Sequence, residues 1–209
     1  MKQHPLRGFL LTLFRPLFWL IFPYKVKGLE NLTALKGQGV IICCNHISVV
    51  DPVFVLMGQK RPVYYMAKAE LFRKKFVAWI LGNVMGAFPV ERGKGDMTAV
   101  NFAFDLVNNG EILGIFPQGT CVRSRELGKP KSGAALIAAR TQAVVVPACL
   151  VTKDFHVRAF RRTTLVFGKP LTAGDLQVVN EEHPKLRHAS RMIMESIDAL
   201  IENEMDGEK

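Results

Sequence analysis

The feature that most constrains this chain is a rhythm. Short apolar runs at residues 40–44, 62–67, 87–90, 112–116 and 143–150 alternate with stretches of helical spacing at 53–59, 70–85, 97–109 and 133–141. The runs have strand length, and several are uninterrupted by polar residues, as in strands covered on both faces. Within 70–85 the apolar positions Leu71, Phe72, Phe76, Val77, Ile80 and Leu81 predict one helix. Asp96 and Gly110 bracket 97–109 as start and stop signals. A late strand is expected at 164–167 and a closing helix at 184–204. The alternation predicts an α/β fold: a largely parallel mixed sheet with helices on both faces. In such sheets ligands bind beyond the carboxyl ends of the strands, so the residues that follow each run carry the most information.

With 209 residues and 49% hydrophobic side chains, the chain can build one sizeable core. No repeat or linker divides it, and residues 24–209 are expected to form a single domain. The 28 Lys and Arg against 18 Asp and Glu leave a net charge of +10. That excess seeks anions, whether phosphorylated substrates or anionic lipid. Nucleic acid is not expected as a partner, because no zinc finger, basic zipper or aromatic RNA-binding signature accompanies the charge. The four cysteines, at 43, 44, 121 and 149, have no CxxC spacing, which speaks against a disulfide framework or a zinc site and for a reducing compartment.

Residues 1–23 stand apart. The stretch 8–23, "GFLLTLFRPLFWLIFP", is apolar but interrupted by Arg15-Pro16 and shorter than the ~20 residues of a spanning helix. No small-residue cleavage site follows it. It reads as a membrane-associating segment, an interfacial helix or a broken hairpin flanked by basic residues, rather than as a helix buried on the domain. A location on the cytoplasmic face of a membrane follows.

Three strand ends carry chemistry. The first is "NHISVVD", from Asn45 to Asp51. A strand delivers His46 to the sheet edge, and Asp51-Pro52 reads as a helix start with Asp51 as its cap. A turn of this length could fold the carboxylate back onto the imidazole, making a general base. The alternative is that the histidine merely ends a strand and the aspartate merely caps a helix. The second is "FPVERGKGD", a glycine-rich basic turn with Arg92 and Lys94. The third is "FPQGT", where Gly119 and Thr120 could cradle an anion, with Arg123, Arg125, Lys129 and Lys131 beyond it. The serine pattern G-x-S-x-G is absent, and Cys121 is the second-choice nucleophile. His46 and Asp51 supply only two metal ligands.

In these residues the chain resembles the lysophosphatidic acid acyltransferases, the 1-acylglycerol-3-phosphate O-acyltransferases among the glycerolipid acyltransferases. "NHISVVD" resembles the family's NHxxxxD block, "FPVERG" its second block, "FPQGT" its third, usually FPEGT, and "VVVPACL" its fourth, with Pro147. Order and spacing agree over most of the chain. The resemblance implies transfer of a fatty acyl group from coenzyme A or acyl carrier protein to the sn-2 hydroxyl of lysophosphatidic acid. His46 would act as general base oriented by Asp51, and the hydroxyl would attack directly, without an acyl-enzyme. Arg92, Gly119, Thr120 and Arg123 would hold the acceptor phosphate, and Asn45 and Gln118 would position the site. The reaction needs neither cofactor nor metal.

Two departures stand out. Gln118 replaces the usual Glu, and an amide cannot titrate near neutral pH. Cys121-Val122 stand where the family continues with Arg-Ser, and Arg123-Ser124 follow two residues later. Another lysophospholipid acceptor, a hydrolase passing the acyl group to water, and a non-catalytic membrane-bound lipid- or anion-binding protein are therefore the rival expectations.

Overall fold

The computed structural model describes residues 7–91, 96–122, 124, 128–178 and 183–207. Seven strands form one sheet in the order β1-β7-β6-β2-β5-β3-β4. They span Tyr24–Lys27 (β1), Val40–Cys44 (β2), Val63–Lys68 (β3), Ala87–Val90 (β4), Ile112–Ile115 (β5), Val144–Val151 (β6) and Thr163–Phe167 (β7). The β6, β2, β5, β3 and β4 strands run parallel. The β7 strand reverses against β6, and β1 follows β7. The fold is thus α/β with a mostly parallel mixed sheet, as the rhythm of the sequence predicts.

Alternation along β2 shows how the faces are covered. Ile41 and Cys43 enter one apolar cluster, with helices Met97–Asn108 (α5), Gly133–Thr141 (α6) and His183–Asp206 (α7) packed against it. Val40, Ile42 and Cys44 enter a second cluster on the opposite face, with helix Asp51–Met57 (α3). All five β2 residues are buried, which is why this run has no polar alternation. Asp96 accepts from the Ala99 amide at 3.1 Å and caps α5 as expected.

The N-terminal helix Arg7–Ile21 (α1) lies on the α3 side. It runs unbroken through Pro16, so no hairpin forms. Arg7 holds its start: the buried guanidinium donates to the carbonyls of Val63 (2.9 Å) and Val84 (3.1 Å). Phe18 packs edge-on against Phe54 of α3, with ring centroids 5.0 Å apart. The opposite side of α1 exposes Phe9, Leu13, Phe14, Leu17, Trp19 and Leu20. Among the described residues no helix is long and apolar enough to cross a membrane.

Four parts of the chain differ from expectation. Residues 70–85 do not form one helix but a 3-10 turn (Ala69–Phe72), a short helix Lys75–Trp79 (α4) and a π turn (Ile80–Val84). None of their residues is fully buried; Phe72, Leu81 and Met85 touch the core only at its margin, while Phe76 and Trp79 face outward, so no continuous apolar side is taken in to enforce a single helix. The β1 strand, "YKVK", and the short helix Leu29–Thr33 (α2) carry no strong sequence signal. The β1 strand is a charged edge strand, and Lys27 reaches Glu204 of α7 at 2.7 Å. Asp51 is the first residue of α3 and not its cap; Val50 takes that place without a side-chain hydrogen bond.

Candidate active site

The parallel register of β2 with β5 and β6 brings the site together. Cys43 pairs with Ile115 and Cys44 with Ala148, so the residues after β2 emerge beside the end of β5 and the last turn of β6. Asn45 is fully buried and continues the ladder with its side chain: its amide donates to the Leu150 carbonyl (3.0 Å), and its Oδ1 accepts from the Leu150 N–H (2.7 Å). An asparagine can satisfy both groups of one backbone residue, and this fixes where His46 begins.

From there the chain curls back. One carboxylate oxygen of Asp51, Oδ2, accepts from the N–H groups of Ile47 and Ser48, both at 2.7 Å, and from His46 Nδ1 at 2.9 Å. The Asp51 side chain is completely buried, and that of His46 is 18% exposed. A carboxylate only accepts, so Nδ1 donates to it, and in the neutral ring Nε2 is left as the acceptor. Asp51 thus orders the turn through two amides and selects the histidine tautomer through the third contact. This buried carboxylate is a stronger arrangement than a strand end beside a helix cap.

The rest of His46 is held by the loop after β5. Gln118 Oε1 accepts from the His46 amide at 2.6 Å, and the Val122 N–H donates to the His46 carbonyl at 2.6 Å. The Cys121 sulfur lies 3.3 Å from Nε2. The Phe116 ring stacks on the imidazole with centroids 4.3 Å apart and a 27° interplanar angle. Tyr65 backs Phe116 and donates its hydroxyl to the Pro52 carbonyl at 2.9 Å. Gly114 makes room for that ring, since a Cβ there would fall 2.3 Å from Tyr65 Cε1. Burial pushes the Tyr65 phenol well above its ordinary range, so it serves as a neutral donor.

The expected residues are thus only partly assembled. Asn45, His46, Asp51 and Gln118 converge. Gly119 adopts φ +72° as a tight turn requires, but its N–H closes that turn onto the Phe116 carbonyl at 2.9 Å. The Lys131 side chain crosses over it, 2.9 Å from where a Cβ would stand. Thr120 is exposed beside this turn. Arg92, Lys94, Arg123 and Arg125 lie outside the described residues. The β4 strand, which leads to Arg92, is three strand positions from β2, or ~14 Å by strand spacing. Asp96 accepts from the Glu91 N–H at 3.0 Å and so ties together the ends of the segment carrying Arg92. Sequence reading missed the Phe116–Tyr65–Gly114 support; its one signal was a glycine inside the buried run "ILGIF".

This geometry is accompanied by clear kinship. Residues 23–151 match the Acyltransferase family model. A Bacillus subtilis 1-acyl-sn-glycerol-3-phosphate acyltransferase is 35% identical over 154 residues, covering 72% of this chain and 75% of that protein. A Borreliella burgdorferi protein of the same name is 32% identical over 136 residues, 64% of this chain and 53% of that one. A chloroplastic one from Arabidopsis thaliana is 28% identical over 63% of this chain and 37% of its own length. The crystal structure of the Thermotoga maritima 1-acyl-sn-glycerophosphate acyltransferase has the same fold, with a TM-score of 0.71 at 20% identity over 94% of this chain and 80% of that one. A His–Asp pair at the carboxyl edge of a mostly parallel sheet, in a chain related throughout its central region to these enzymes, has one family context: the chain belongs to the Acyltransferase family.

Proposed function

We propose that this enzyme moves a fatty acyl group from a thioester of coenzyme A or acyl carrier protein to the sn-2 hydroxyl of lysophosphatidic acid, giving phosphatidic acid and a free thiol. The observation that carries this reading is the imidazole of His46, held at Nδ1 by a buried carboxylate, with Nε2 turned toward the exposed Cys121. A thioester is already activated, so the enzyme mainly supplies a base, orientation and a donor for the developing oxyanion. His46 Nε2 takes the proton of the acceptor hydroxyl, and Asp51 stabilises the imidazolium. Arg92, Arg123 and the Gly119–Thr120 turn hold the acceptor phosphate, while Asn45 and Gln118 position the base. The names of the relatives support the acceptor.

The acceptor is a lipid, and the outer side of α1 suits it. Six large apolar residues there, with Phe76 and Trp79 nearby in sequence to the π turn that Arg7 touches, favour contact with the cytoplasmic face of a membrane. The +10 charge favours anionic lipid and an anionic donor.

A second reading, transfer to another lysophospholipid, is favoured by Gln118 and Cys121, which replace the family's usual Glu and Arg at the third block. The test is thiol release from acyl-coenzyme A and acyl-carrier protein, with and without lysophosphatidic acid, for the wild type and His46→Ala. Release that depends on the acceptor and on His46 supports the proposal. Preference for a different lysolipid in competition moves the acceptor to the second reading, and release without any acceptor points to hydrolysis.

A further inference from the structure

We propose that the connection between β6 and β7 forms a second phosphate site, built on the buried hydroxyls of Thr152 and Thr163 and separate from the acceptor site.

Strand register makes the site. Antiparallel pairing ends with Val151 opposite Thr164, so Thr152 and Thr163 come next, opposite each other where the ladder stops. Thr163 is 1% exposed and Thr152 8%, and neither hydroxyl has a hydrogen-bond partner among the described residues. Opposed threonines commonly bond to one another, and these do not. Both line a cavity of about 200 Å³. That is below the ~300–1,000 Å³ of a pocket for a whole drug-sized ligand and suits a single small group. Two buried hydroxyls without partners call for a polar group in that cavity.

Charge decides which group. Lys153, Arg158, Arg161 and Arg162 also line the cavity. The carboxylate among them, Asp154, is taken by Arg158 at 2.6 Å. Lys153, Arg161 and Arg162 have no carboxylate within ion-pair distance among the described residues. Hydroxyl donors beside guanidinium groups suit the oxygens of a phosphate ester.

Strand order separates this site from the acceptor residues. Arg92 and the Gly119–Thr120 turn follow β4 and β5 on one side of β2, whereas β6 and β7 lie on the other. Both sites share the carboxyl edge, because Asn45 bonds to Leu150, two residues before Thr152. Phe155 and Val157 turn inward onto the apolar clusters and fix the connection. Its far end is tied to the end of α1: the Phe160 N–H donates to the Ile21 carbonyl at 2.6 Å and the Thr163 N–H to the Pro23 carbonyl at 3.0 Å. Phe160 has φ +61°, a sparsely populated conformation for a residue other than glycine, and is 75% exposed. An exposed aromatic among arginines, at the end of the helix that exposes Trp19 and Leu20, has the character of an interfacial segment. The headgroup of an anionic phospholipid is the source this placement favours. The phosphates of coenzyme A offer the same chemistry from solution.

The test compares the full chain with Thr152→Val, Thr163→Val and the double variant Arg161→Ala with Arg162→Ala. Thermal melts in inorganic phosphate against chloride at equal ionic strength read the anion itself. Flotation with phosphatidylcholine vesicles, with and without phosphatidylglycerol, reads the headgroup. Binding of coenzyme A against dephospho-coenzyme A reads the donor. Phosphate should raise the melting temperature of the wild type more than that of any variant. Without phosphate the valine variants should melt no lower than the wild type, because each removes an unpartnered hydroxyl and keeps its shape. The double arginine variant should bind phosphatidylglycerol vesicles about tenfold more weakly. Thr163→Val should weaken the same binding several-fold although it changes no charge. Loss of vesicle binding with coenzyme A affinity intact assigns the site to lipid, and the reverse assigns it to the donor. An equal phosphate response in the wild type and every variant overturns the site. So does binding that falls with the arginines but not in Thr163→Val, which is the signature of diffuse charge. A wild type that shows these differences yet transfers no acyl group keeps the site and loses the proposed reaction.

Discussion

The turn from Asn45 to Asp51 and the outer side of α1 are opposite solutions to one problem. In the turn, polar groups are taken out of water, and nearly every one has a partner: Leu150 for Asn45, three donors for one oxygen of Asp51, and Gln118, Val122 and Asp51 for His46. On α1, apolar groups are left outside, and among the described residues Phe9, Leu13, Phe14, Leu17, Trp19 and Leu20 are exposed. Buried polar atoms must find directional partners, so the turn has one geometry. Apolar surface needs only a nonaqueous neighbour, so α1 leaves its partner to the environment.

The largest expected effect separates the two regions by function. His46→Ala should lower kcat by about 10²–10⁴-fold while leaving vesicle binding nearly unchanged. Acyl transfer assayed beside vesicle flotation checks this. Next come the turn's structural anchors. Asn45→Ala strips the Leu150 N–H and C=O of their partners, and Asp51→Ala does so for the amides of Ile47 and Ser48. Each buried group left unsatisfied should cost about 1–3 kcal/mol, read as a lower urea midpoint. If either variant unfolds like the wild type, the turn is not the rigid partner in the comparison.

Trp19→Glu addresses the other partner. It should reduce binding to anionic vesicles by about tenfold, equivalent to roughly 1.4 kcal/mol and within the value of burying part of a large apolar side chain. Without vesicles its melting temperature should match the wild type. A loss of stability in water would mean that the outer side of α1 packs on protein.

The smallest effect concerns an exposed polar group. The amides of Glu91 and Ala99 hold the Asp96 carboxyl below its ordinary value. Its contribution is therefore complete above the unfolded value of about 3.9 and is lost as pH falls through the lower folded value. Asp96→Ala should melt slightly earlier than the wild type at neutral pH, and the difference should shrink below about pH 4. Melting curves over that range check the sign.

The legibility of the sequence follows the same division. Runs such as "VIICC" announced strands because burial on both faces leaves no room for polar residues. The α5 helix was readable to within a residue because Asp96 and Gly110 act locally. Residues 70–85 misled because apolar spacing indicates one helix only when a core takes in the whole apolar side, and here Phe72, Leu81 and Met85 touch the core partly buried while Leu71, Phe76 and Trp79 are exposed. The β1 strand was silent because an edge strand of alternating charge looks like a loop until β7 pairs with it.

By itself, the sequence determined the α/β class and the strands that carry the chemistry, and it offered the pairing of His46 with Asp51 as one of two readings, because these depend on local periodicity or on neighbours five residues apart. Only the tertiary structure decided that β2 lies between β5 and β6. That order places Gln118, Cys121 and Phe116 around one imidazole, from residues 70 or more positions away in the chain. Strand order is set by how helices cover both faces of the whole sheet, a global packing condition that no single stretch of sequence contains.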